Sequence, residues 1–264
     1  MATSLPAAPA DPAAALGGAP VTERATAAVA GLAAPTGPAE AHATPPRVAL
    51  VRTRTGRNAV LASLGAFAVL FALVRAGGSE RVDRAISRTL QRLGRPVDPL
   101  LRLVSWPGFP PESRIIPPSL VAGLWLIGLR LEALFQLGAW SGALVSSGLK
   151  ALARRPRPAA TDAIEVVAAP LRGSSFPSGH VLTYVGFYGF LAHLVESHVA
   201  DRGMRRVGVA ALVALVGLVG PSRVQQGHHW PSDVLGSYLV GLPLLAVYIE
   251  AYRRTKERLL DRRA

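Results

Sequence analysis

The chain of 264 residues contains no cysteine, which excludes disulfides and thiolate metal sites and leaves its redox compartment unmarked. Only two lysines occur, Lys150 and Lys256, among 29 basic residues, so arginine carries nearly all the positive charge. Acidic residues number 16 and nowhere gather into a cluster that would hold magnesium, and no H-E-x-x-H pattern offers zinc ligands. A metal-free chemistry with no cofactor is the expectation. The N-terminus lacks the basic start and apolar core of a signal peptide. Residues 1–55 are rich in Ala, Pro, Gly and Thr without apolar periodicity, so they are expected to form a disordered tail, consistent with an over-long start site.

What the chain does have is apolar sequence. Half of its residues are hydrophobic although 17% are charged, and the two kinds are segregated into alternating runs and loops, as in membrane proteins. The net charge of +13 suits anionic lipid, phosphate compounds or nucleic acid, and the hydrophobic runs make nucleic acid the poorest fit. Six apolar segments lie near 58–74, 115–129, 133–149, 181–199, 207–220 and 234–252. Most fall slightly short of the ~20 residues that cross a bilayer core. The spacing predicts an all-α bundle of six transmembrane helices. The six-span domain would cover 56–252, and a basic C-terminal tail 253–264. Spans two and three are separated by Arg130, Leu131 and Glu132, a tight helical hairpin. In 81–93, Val82, Ile86, Leu90 and Leu93 share one helical face and Arg81, Arg84, Arg88 and Arg92 the other. That pattern fits an amphipathic helix in the membrane interface, or one packed on the bundle.

Six spans put both termini on one side and the loops 75–114, 150–180 and 221–233 on the other. Fourteen basic residues flank each side, so the charge rule ties; discounting Lys150, Arg157 and Arg223 leaves 14 against 11, favouring cytoplasmic termini.

The co-facial loops carry three clusters: KALARRPRP at 150–158, FPSGH at 176–180 and SRVQQGHHWPSD at 222–233. Lys150 and Arg157, beside Arg154 and Arg155, read equally as headgroup-binding residues flanking a span. Pro177 suits the first turn of a helix, which would leave the N–H groups of Ser178, Gly179 and His180 free as an anion site. His229 and Asp233 stand four residues apart, with Pro231 opening a helix between them. Asp233 can orient a histidine or simply favour the helix N-terminus, and spacing does not choose between His228 and His229. Three cations, a helix end, two histidines and a carboxylate suit phosphoryl transfer. One histidine would attack and another protonate the leaving oxygen, predicting two titrating groups in the pH profile between pH 5 and 8.

In this order and spacing the clusters resemble the tripartite signature of the type 2 phosphatidic acid phosphatase superfamily: K-x6-R-P, then P-S-G-H, then S-R-x5-H-x3-D. Lys150 and Arg157-Pro158 match the first, Pro177-Ser178-Gly179-His180 the second, and Ser222-Arg223, His229 and Asp233 the third. The resemblance covers about residues 55–252. It implies His229 as nucleophile through a phosphohistidine, Asp233 as its orienting partner and His180 as the acid. Lys150, Arg157 and Arg223 would bind the phosphate, with Ser178 and Gly179. It implies no metal, a lipid-linked phosphate or pyrophosphate substrate, and an extracytoplasmic active site in the cell membrane. A phosphotransferase on the same scaffold and a non-catalytic binder of anionic lipid are the competing readings. Soluble haloperoxidases share the signature and bind vanadate, but six spans argue against that reading. Oligomeric state is left open.

Overall fold

The computed structural model describes residues 53–93, 95–167 and 173–262, so the expected N-terminal tail lies almost wholly outside the described residues. Among these residues every regular element is a helix. In chain order they are α1 (Arg54–Arg75), α2 (Glu80–Leu93), α3 (Asp98–Ser105), α4 (Glu112–Leu126), α5 (Arg130–Ala139), α6 (Gly142–Ala153), α7 (Gly179–His198), α8 (Arg202–Gln225) and α9 (Pro231–Asp261). Short 3₁₀ turns occur at Arg95–Val97, Trp106–Gly108 and Ala160–Asp162.

Three of these helices, α1, α8 and α9, are long and apolar enough to cross a membrane. The other expected spans fold as α4, as the pair α5 and α6, and as α7. The 133–149 segment is therefore not one helix. It breaks at Trp140–Ser141, where the chain presses against α7: a Cβ on Gly142 would stand 2.8 Å from the Leu182 carbonyl oxygen, and one on Gly186 2.6 Å from that of Ala139. The connection before it turns at 127–129 with Gly128 at φ +90°, a conformation that favours glycine, and Arg130, Leu131 and Glu132, expected to form the turn, open α5 instead. The basic stretch after residue 252 continues α9 as far as Asp261.

Helix α7 is the axis of the core. Val181, Tyr184, Val185, Phe187 and Tyr188 pack with Val219 and Val224 of α8 and Val234 of α9. A second cluster joins Phe190 and Leu194 to Tyr252, and there Glu132 accepts hydrogen bonds from Tyr252 Oη (2.7 Å) and Lys256 Nζ (2.9 Å). Lys256 thus closes the end of the bundle opposite Lys150.

Helix α2 docks in an unexpected sense. Its polar face turns inward: Asp83 is 2% exposed and Ser87 1%, whereas Val82 is 60% exposed. Of the expected apolar stripe, Ile86 is also exposed, and Leu90 packs against the core. The helix packs on the bundle, contacting α8 and α9, and leaves apolar side chains outside. The physical reason lies in its partners, which are a buried arginine and free backbone groups of α9.

Candidate active site

The three clusters converge at one end of the bundle. Helix α6 ends at Arg154, which adopts the left-handed conformation (φ 50°). From there Arg155 turns inward and its backbone pairs with the other side of the loop, Ser175 N–H donating to Arg155 O at 2.9 Å. Ser175 Oγ donates to the Pro156 carbonyl (3.0 Å), as does Trp230 Nε1 (3.0 Å), so the first and third clusters are tied directly. Phe176 anchors the second. It stacks on Phe67 (5.9 Å) and meets Phe71 edge-on, both from α1, and lies where a Cβ on Gly236 would stand. Gly227 is required at φ +68° because a Cβ there would strike the Glu165 carbonyl oxygen.

A cavity of about 470 Å³ opens at this end, with Lys150, Arg157, Gly179, His180 and His229 in its wall. Ser146, one helical turn before Lys150 on α6, also lines it. Its buried hydroxyl has no hydrogen-bond partner among the described residues. Lys150 Nζ lies 3.6 Å from where a Cβ on Gly179 would be, so the ammonium stands against the start of α7.

Two features of the helix start differ from expectation. Pro177 precedes the N-cap, Ser178, instead of occupying the first turn. The Ser178 N–H is also taken, donating to the Asp233 carbonyl oxygen at 3.3 Å. Gly179 and His180 remain as the first two residues of α7, where N–H groups find no acceptor within the helix and favour an anion.

His229 is fully buried, and its Nδ1 lies 2.9 Å from the Ser175 carbonyl oxygen. A carbonyl only accepts, so Nδ1 carries the hydrogen, and Nε2 of the neutral ring keeps its lone pair on the cavity side. Arg157 Nη1 sits 3.4 Å from Nε2 and donates to the His228 carbonyl at 2.8 Å. Burial, together with Arg157 and Lys150, holds His229 down to about 4 against the opposing pull of Asp233. Burial likewise lowers Arg157 below its ordinary range.

Asp233 caps α9 and lies beside His229. Its Oδ2 accepts the Trp230 N–H (2.8 Å), capping α9 at the third position, and stands 3.5 Å from His229 Nδ1. Its Oδ1 accepts from Arg155 Nη1 at 2.6 Å.

Of the expected site residues, Arg223, Ser178 and Asp233 stand apart from the cavity wall. Arg223 is fully buried, bonds Gln226 Oε1 through Nη2, and lies 4.7 Å over the Phe109 ring, with Nε and Nη1 unpartnered. Phe109 also meets His180 (5.1 Å) and His228 (6.0 Å), and so stands between Arg223 and the two rings. His228 is buried beside it, with neither ring nitrogen bonded, and burial with Arg223 lowers it to about 4. Ser222 Oγ binds the Leu101 carbonyl and Ser105 Oγ, both at 2.5 Å, pinning α8 to α3. Sequence reasoning missed Phe109, Ser146, Arg155 and Asp83. Arg155 is one of the open positions of the first motif, and nothing in the sequence singles out Asp83 among the acidic residues. Among the described residues no three His, Cys, Asp or Glu side chains come together as a metal site.

The fold and the site together define an all-helical membrane-type protein with a cationic, histidine-bearing cavity at one end of its bundle. The family model of the PAP2 superfamily matches residues 132–257. Phosphatidylglycerophosphatase B of Bacillus subtilis (strain 168) is 26% identical over 184 residues, covering 67% of this chain and 87% of that protein. The crystal structure of a transmembrane PAP2-type phosphatidylglycerolphosphate phosphatase from Bacillus subtilis superposes with a TM-score of 0.65. It is 22% identical, covering 74% of this chain and 96% of that one, and shares the fold.

Proposed function

We propose that this protein is an integral-membrane, metal-independent phosphatase that removes phosphate from a lipid phosphate or lipid pyrophosphate through a phosphohistidine on His229. His229 Nε2 attacks phosphorus while the bond to the departing lipid oxygen breaks, and His180 gives that oxygen a proton. Water then attacks the phosphohistidine, His180 takes its proton, the P–N bond breaks and phosphate leaves. Lys150, Arg157 and the N–H of Gly179 at the start of α7 hold the equatorial oxygens, where cations and N–H groups stabilise the charge of the transition state; Ser178 contributes through its hydroxyl and Arg223 through its charge beside Phe109. Asp233 and the Ser175 carbonyl hold the His229 ring in the attacking tautomer.

The observation that carries this reading is the His229 ring itself: one nitrogen is committed to a backbone carbonyl. The other stands beside Arg157 in a cavity it shares with Lys150 and His180. The relative's name puts phosphatidylglycerophosphate first in a substrate panel, followed by phosphatidic acid and polyprenyl pyrophosphate. Purified protein should release phosphate from at least one of these in the presence of chelator, and His229→Ala should fall to background. Equal release by the two proteins would sink the mechanism. Vanadate, a phosphate mimic, should compete with substrate.

A further inference from the structure

Arg155 lies between two buried carboxylates. Its Nη2 donates to Asp83 Oδ2 at 2.5 Å and its Nη1 to Asp233 Oδ1 at 2.6 Å, with Ser232 Oγ 2.7 Å from Nη1 and Ser79 Oγ 3.0 Å from Nη2. Asp83 also accepts the Ser232 N–H (2.9 Å, Oδ1) and the Ser232 hydroxyl (2.7 Å, Oδ2). One carboxylate from α2 therefore holds both the arginine that grips Asp233 and the first turn of α9 on which Asp233 sits. Asp83 stands outside the segment that the PAP2 model matches, and Arg155 occupies a position that the signature leaves open.

Further contacts hold α2 in place. Arg88 Nη2 donates to the Asp162 carbonyl at 2.7 Å, and Gln91 bridges the loop to α8 by donating to the carbonyls of Glu165 (2.7 Å) and Gln225 (3.0 Å). The inward polar face of α2 has a purpose in these contacts, because it clasps the loop bearing Arg157 against the turn bearing His229.

We infer that Asp83 is a positioning residue for the reaction, acting through Arg155 and Ser232 to set Asp233 against His229. The inference rests on the phosphatase reading above. Buried charged networks of this kind act as a unit. Without the Asp83 charge, the Arg155 guanidinium has Asp233 as its sole carboxylate, and it draws Asp233 Oδ1 away from the geometry that places Oδ2 at 3.5 Å from His229 Nδ1. Among the described residues Asp83 bonds Arg155 and Ser232 and neither Lys150 nor Arg157, the phosphate-holding cations, so substrate binding is left intact.

The test compares wild type, Asp83→Asn, Arg155→Gln and the double variant, purified as full chains in detergent with thermal unfolding measured on each. Asp83→Asn keeps an acceptor for the Ser232 N–H and removes the charge. It should lower kcat roughly 10- to 100-fold, the scale of a small misplacement at a reacting centre, with KM within about threefold. The double variant should be no slower than the slower single, because both act through one network. Should Asp83→Asn not fold, Asp83→Ser, which also removes the charge, replaces it under the same kcat criterion. An active, His229-dependent wild type whose folded Asp83 variants keep kcat within about twofold overturns the inference. So does a double variant whose loss is the product of the single losses. A wild type with no phosphatase activity instead overturns the functional reading.

Discussion

The two ring nitrogens of His229 face different surroundings, and that asymmetry governs its pH behaviour. Nδ1 is locked to the Ser175 carbonyl, and the buried ring resists protonation beside Arg157 and Lys150, which holds it down to about 4. His228 is held near the same value. The acid limb of kcat/KM that reports a neutral nucleophile should therefore lie below pH 5, well under the ordinary histidine value of 6.5. A pH–rate profile of the wild type with its acid limb centred near 6.5 would contradict this. Stability follows the same sign. Between pH 6.5 and about 4 the unfolded chain binds protons that the folded chain refuses at these two rings. Stability present above pH 6.5 is thus lost as pH falls through that window, and the melting temperature in detergent should fall with it. The sequence presented two adjacent histidines as equals; the tertiary structure separates them, turning His229 to the cavity and packing His228 against Phe109.

At the scale of elements, hydropathy marked the apolar segments well and their continuity poorly. The 133–149 segment has no internal charge, so nothing local announces the break at Trp140–Ser141. The break belongs to the contact with α7, where backbone meets backbone across Gly186 and Gly142. Gly186→Val should destabilise the fold by about 1–3 kcal/mol, since its Cβ would stand 2.6 Å from the Ala139 carbonyl oxygen. Gly148→Ala, with nothing within 4 Å, should be neutral or slightly stabilising. Thermal unfolding of the two variants side by side checks the pair, and equal melting temperatures would remove the packing argument. Helix α2 teaches a related lesson. Its period of apolar residues was correct, yet the inward face was chosen by Asp83 finding Arg155 and Ser232, a pairing 72 or more residues away in sequence.

For the whole molecule, polarity is organised end to end. Helix α7 begins at the cavity with Gly179 and finishes at His198, 20 residues or about 30 Å further on. Near that far end, Glu132 collects Tyr252 and Lys256. With the cavity end facing outward, as the family resemblance implies, a cysteine at exposed Ala160 should react with an impermeant maleimide in intact cells. One at exposed Ala200 should react only after permeabilisation. The native chain has no cysteine, so each variant carries a single reporter. The reverse pattern would invert the topology.

By itself the sequence determined the all-helical class, the apolar segments and the chemistry available at one end of the bundle. Each of these is written in local composition or in residues at fixed spacing, and periodicity and motif spacing are local quantities. Spacing left His228 and His229 equal until the signature pointed to His229, and only the tertiary structure decided how each ring is surrounded, where the third apolar segment breaks and which face of α2 turns inward. Those outcomes depend on desolvated polar groups finding partners far along the chain. A buried carboxylate such as Asp83 is stable only where a cation and donors close around it, and no window of sequence around residue 83 contains them.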